Sequence, residues 1–176
     1  MAYKDIPHDR QPRRRVGCLV LLTLETDDAG DPRNGSVLLV GKTYKRLPGL
    51  PGGAAHEGEL ISDAATRELR EETGLALTFT RGLLVDQTDA NPATGSAEGI
   101  NFVCDGGVVA ESEAAALVVP AGARDEINGF VWVRPDRLHA MLELYQWRRI
   151  RAALAARESG KDFPLLHTGE PYGPAA

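Results

Sequence analysis

Between Gly53 and Gly74 runs the stretch that most restricts the fold, because it ends in the acidic string Glu68-Leu69-Arg70-Glu71-Glu72. Ser62 is a good helix N-cap, Asp63 suits the positive first turn, and Gly74 suits the left-handed position that closes a helix. The spacing therefore predicts one short helix over 63–73. Ile61, Ala65 and Leu69 recur every four residues and give that helix a buried side. Away from it, Glu68, Glu71 and Glu72 place three carboxylates on about one turn of surface. Like charges so spaced repel by roughly a few tenths of a kcal/mol per pair. A cluster of this kind calls for a cation.

A hard divalent cation suits it, since Mg²⁺ takes oxygen ligands from a few carboxylates together with waters and substrate phosphates. Before the helix, Pro48-Gly49-Leu50-Pro51-Gly52-Gly53 is backbone able to bend sharply and deliver Glu59 to the helix's front end. It is not a P-loop, because GxxxxGK[ST] is absent. Gly53, five residues, Glu59, seven residues, then Arg67, Glu68, Leu69, Glu71, Glu72, Gly74 and Leu75 fill every fixed position of the Nudix box. The chain resembles a Nudix hydrolase. His56 stands where many members carry Glu, at a position the box does not specify.

The resemblance implies an α/β/α sandwich around a mixed β-sheet, which the order of strands and helices also suggests. The division expected is a basic N-terminal tail over 1–15, one Nudix domain over 16–157 and a loosely held tail over 158–176. Val16–Leu24 reads as a central strand, 26–36 as a hairpin loop, and Val37–Val40 as the returning strand. Ala76–Asp86 alternates as a strand, and 88–99 reads as a long loop. Ile100–Cys104 and Gly107–Ala110 read as strands broken at Asp105-Gly106. Phe130-Val131-Trp132-Val133 reads as a strand before a Pro135-led helix. Residues 135–142 and 145–156 read as one or two amphipathic helices. Arg13-Arg14-Arg15 reads as solvated tail.

A net charge of −5 and a pI near 5.4 argue against a binder of nucleic-acid polymers. Cys18 and Cys104, far apart in apolar contexts, suggest buried free thiols in a reducing, cytoplasmic compartment. No signal peptide or membrane-spanning run is evident. The partners expected are a small diphosphate substrate and, as an open alternative, a second copy of the chain.

The reaction implied is metal-dependent hydrolysis of a diphosphate linkage in a nucleoside diphosphate joined to another group X, such as a nucleotide sugar or ADP-ribose. By the same resemblance, Glu59, Glu68, Glu71 and Glu72 are the ligands of Mg²⁺ or Mn²⁺. Arg67 orients a glutamate, and Gly53 and Gly74 shape the backbone. Lys42, Lys45 and Arg46, beside Tyr44, are candidates for the substrate phosphates. The general base is Glu71, Glu72 or a carboxylate from elsewhere. Glu126, ahead of the last long strand, is the choice among the latter, with Glu98 and Glu113 as rivals. Two alternatives are a non-catalytic nucleotide-binding or regulatory module on the same fold, and an enzyme acting on prenyl diphosphates that uses Cys104.

Overall fold

The computed structural model describes residues 13–93 and 95–172. Residues 1–12, most of the expected N-terminal tail, and 173–176 lie outside them. Eight strands form one mixed sheet: β1 (Arg15–Glu25), β2 (Val37–Lys42), β3 (Gly52–Ala54), β4 (Gly82–Thr88), β5 (Gly99–Ala110), β6 (Ile127–Val133), β7 (Leu165–His167) and β8 (Glu170–Pro171). Their order is β6-β2-β1-β5-β4-β7-β8, with β3 paired to β1. β1 runs parallel to β5 and β4 parallel to β7, and the other pairs are antiparallel.

Helices cover both faces: α1 (Ile61–Thr73) and α2 (Glu111–Ala115) one, α3 (Leu138–Met141) and α4 (Leu144–Ser159) the other. Strand alternation feeds the two cores. Cys18, Val20 and Leu22 pack beneath Ala64, Ala65 and Leu69, whereas Leu21 and Leu39 pack against Ile150 and Ala153. β1 thus reads as a continuous apolar run because both its faces are covered. Each fully buried Leu of this kind contributes about 1.5–3 kcal/mol. Among the described residues no helix is long and apolar enough to cross a membrane.

Four expectations need correction. α1 begins at Ile61 with Leu60 at the cap position and no capping side chain, so Ser62 lies inside the first turn. Packing of half-buried Ile61 on the α1-side core draws the helix start forward of the best capping residue. Residues 76–81 form no strand, although Leu77 and Phe79 pack inward. Their alternation reports burial rather than pairing, and the ladder starts at Gly82. β5 is continuous through Asp105-Gly106, where two residues bulge: Leu21 pairs with Asp105 and Thr23 with Val108. Gly107 takes φ +70° there, and its N–H donates to Asp105 Oδ1 at 3.0 Å.

The fourth concerns the C-terminal segment. Rather than a loose tail, α4 runs to Ser159 and β7–β8 extend the sheet, burying Leu166. Asp86, fully buried, holds this hairpin: Oδ1 accepts the Gly169 N–H at 3.0 Å, and Oδ2 accepts Arg149 Nε at 2.6 Å. Arg15 likewise leaves the expected tail by opening β1, where it donates to Asn101 Oδ1 at 2.8 Å.

Candidate active site

α1 ends at Gly74, whose φ of 80° is the left-handed closure read from the sequence, and its N–H donates to Arg70 O. With Leu69 buried, Glu68, Glu71 and Glu72 flank one side of the helix. They line a groove of about 850 Å³ whose other residues include Arg67, Arg70, Pro120, Ala123, Glu126 and Ile127. Glu126 arrives on the segment that leads into β6. The sequence rivals do not line that groove: Glu98 pairs with Arg14 at 2.9 Å, and Glu113 lies on α2.

Arg67 fixes most of the acidic wall. Its Nε and Nη2 donate to the two oxygens of Glu59 at 2.8 and 2.9 Å. Nη1 reaches Glu68 at 2.9 Å and Glu71 at 3.1 Å, and Nη2 also donates to Ala54 O. These hydrogen bonds from Arg67 pull the Glu59 carboxyl down to about 2. Glu59 is thereby tied to Arg67 and is not itself among the residues that line the groove.

β3 makes the floor. Cys18 pairs with Gly53 and Leu19 with Gly52, which brings the glycine doublet against the central strand. A Cβ on Gly53 would lie 2.4 Å from Glu68 Oε2, so the missing side chain is the space that the Glu68 carboxylate fills. Gly52 at φ +130° donates its N–H to Glu72 Oε2 at 2.8 Å. Glu72 is buried, and burial raises its pKa against the opposing pull of Lys42. The Lys42 ammonium lies 2.6 Å from Glu72 Oε1 and 3.3 Å from Glu126 Oε1. Burial works against its charge, yet the Glu72 carboxylate outweighs burial and raises its pKa. Tyr44 Oη donates to Glu126 Oε1 at 2.9 Å, and this bond, with Lys42, holds the Glu126 carboxyl below its usual range.

The structure thus brings Lys42 among the glutamates but sets Lys45 and Arg46 apart, on a shallow pocket of about 340 Å³ beside Asn128 and Phe130. Gly52 and the Tyr44 hydroxyl, which hold Glu72 and Glu126, carry no signal of those contacts in the sequence beyond the glycine doublet itself. Cys104 is buried on β5 in an apolar core, and burial pushes its thiol up to about 11. That environment disfavours the thiolate a catalytic cysteine needs.

A hard divalent cation fits this set of donors. All are oxygens, and Gly53 opens the space beside Glu68. The buried Glu72 Oε1 has its Lys42 ion pair as its one polar contact among the described residues. Arg67 and Lys42 draw the acids to separate partners, and no three of them converge on one point among the described residues.

The family model described as the NUDIX domain matches residues 12–155. No curated protein matches the sequence. Solved structures with a similar fold include the MutT protein from Methanosarcina mazei Go1, at 19% identity and a TM-score of 0.60, with 85% of this chain and 96% of that one covered. The NUDIX domain of Shewanella oneidensis NrtR, complexed with ADP ribose, is 18% identical with a TM-score of 0.61, covering 89% and 95%. A UDP-X diphosphatase is 17% identical with a TM-score of 0.60, covering 90% of this chain and 70% of that one.

Proposed function

The chain belongs to the NUDIX domain family as a hydrolase of that kind, and on this premise we propose that it cleaves the diphosphate linkage of a nucleoside diphosphate joined to a second group, with Mg²⁺ or Mn²⁺ as cofactor. The observation that carries the reading is that Glu68, Glu71, Glu72 and Glu126 line one groove. Similar folds seen with ADP ribose or named for UDP-X support a nucleotide-linked substrate. Glu68, Glu71 and Glu72 are the ligands, with Glu59 supporting them through Arg67. When bound, the ion neutralises phosphate oxygens and lowers the pKa of water.

The protein's own groups do the rest. Arg67 keeps Glu68 and Glu71 from turning away from one another, and Arg70 supplies a groove-lining cation for phosphate. The hydrogen bond from Tyr44 keeps Glu126 ionised, as a proton acceptor must be. Water oxygen attacks phosphorus, its proton passes to the Glu126 carboxylate, and the bridging P–O bond breaks to release a phosphate-bearing product. Glu71, whose side chain is 60% exposed, is the competing base. Buried free Cys18 and Cys104 suit a reducing cytoplasm. The test is a panel of nucleotide sugars, ADP-ribose, dinucleoside polyphosphates, nucleoside triphosphates and prenyl diphosphates, assayed with Mg²⁺ or Mn²⁺ and with products identified. Turnover of at least one nucleotide-linked diphosphate, abolished by chelator, is expected. Undiminished turnover in excess chelator would overturn the reading.

A further inference from the structure

Two glutamates of the groove, Glu72 and Glu126, already hold a cation of the protein's own. Lys42 Nζ donates to Gly52 O at 3.2 Å and lies 2.6 Å from Glu72 Oε1 and 3.3 Å from Glu126 Oε1. Three segments, β3, α1 and the loop before β6, each contribute one oxygen around this nitrogen. The Lys42 side chain is 11% exposed and that of Glu72 is 4% exposed, so the pair is sheltered from water. An all-oxygen surround drawn from carboxylates and a backbone carbonyl is also the donor chemistry of a hard divalent ion. Glu72 is common to both. Its Oε2 accepts the Gly52 N–H, which leaves Oε1 as the oxygen open to a cation, and that is the oxygen Lys42 holds.

We propose that Lys42 is an exchangeable occupant of the cation seat: a divalent ion loads at Glu72 by displacing the Lys42 ammonium, so Lys42 sets the metal concentration at which the site fills. This rests on the reading of Glu72 as a metal ligand. Two cations cannot share one carboxylate oxygen without strong repulsion, so occupation by one excludes the other. The long flexible lysine stem permits the exchange, whereas a guanidinium would grip the carboxylate as a fork. The apparent metal affinity is then the intrinsic affinity multiplied by the fraction of molecules in which Lys42 has withdrawn. Its departure also frees Glu72 and Glu126 together, the two acids that it bridges.

The deciding experiment footprints amines of the full chain with an acetylating N-hydroxysuccinimide ester while Mn²⁺ is titrated, with calorimetry of the same samples. Lys42 acetylation is expected to rise at least fivefold with the midpoint of the Mn²⁺ heat, and the exposed reference Lys45 to change less than twofold. Lys42 labelling that stays flat or falls at calorimetric saturation overturns the exchange while leaving metal binding intact. Absence of any Mn²⁺ heat overturns both this inference and the metal reading on which it rests. As an independent arm, Lys42→Met should bind Mn²⁺ about tenfold more tightly, because the competitor is gone. Equal or weaker binding in the folded variant overturns the proposal. Should Lys42→Met fail to fold, Lys42→Arg should bind Mn²⁺ at least threefold more weakly than wild type, and unchanged or tighter binding overturns it.

Discussion

The adjacent glycines of β3, which meet Glu68 and Glu72, should respond differently to the same added methyl group. Gly53 is not in the left-handed region, so alanine fits its backbone. Its Cβ would stand 2.4–2.5 Å from the three carboxyl atoms of Glu68, the end of a flexible side chain, which can swing away. Doing so breaks the 2.9 Å bond from Arg67, costing about 1.5–3 kcal/mol, against a gain of about 0.4–1 kcal/mol from the stiffer unfolded chain. The net loss of about 0.5–2.6 kcal/mol lowers Tm by about 1–10 °C in a chain of this size. Activity should fall about 10²-fold or more, because Glu68 no longer faces the groove. In Gly52→Ala the Cβ meets Cys18 O at 2.1 Å and Leu19 Cα at 2.9 Å, backbone of the central strand that cannot swing. There φ is +130°, so conformational strain and overpacking together cost about 2–6 kcal/mol. Calorimetric Tm and initial rates on both variants provide the assay. Wild-type turnover in Gly53→Ala, or a loss of stability equal to that of Gly52→Ala, would refute the placement of Glu68.

Three further outcomes are expected. Glu126→Gln should lower kcat about 10²-fold with little change in KM, whereas a near-normal kcat assigns the proton to Glu71 or Glu72. Glu59, held at about 2 by Arg67 against an ordinary 4.5, contributes stability that is full above pH 4.5 and is lost as pH falls through about 2. An NMR titration of its carboxyl carbon should show that low midpoint, and one near 4.5 would contradict the Arg67 clamp. Asp86→Ala leaves the buried Arg149 without its carboxylate, so stability should drop by about 3–5 kcal/mol, and amide exchange at Leu166 should accelerate as the β7–β8 hairpin loosens.

The acidic helix was legible because its buried period, its closing glycine and its carboxylate spacing are all local. The same holds for β1, whose apolar run reports burial directly, whereas Phe130, Val131 and Trp132 of β6 mark a strand that is only half-buried. What stayed hidden depends on contacts between distant segments. Nothing near Lys42 signals that its ammonium meets Glu72, and nothing near Gly52 signals that both its backbone polar groups serve that pair. β7 and β8 are too short to show a period, and their Gly- and Pro-rich surroundings resemble a loose tail. They are ordered by Asp86, an acid on β4 that pattern reading treats as a strand end. Glu126 was placed from its position before a strand, and its hold on Tyr44 and Lys42 needed the fold.

Hydrolysis in H₂¹⁸O is the most direct test of the central claim. With Mg²⁺ present and a nucleotide sugar or ADP-ribose that the panel shows to be turned over, mass spectrometry of the products should find one ¹⁸O per cleavage, on the phosphate of a nucleoside monophosphate or of its partner. Label should be absent when Glu71 and Glu72 are both replaced by Gln. Tight Mg²⁺-dependent binding of these compounds with no labelled product from any of them would contradict the account and mark the groove as a site that recognises nucleotides without cutting them.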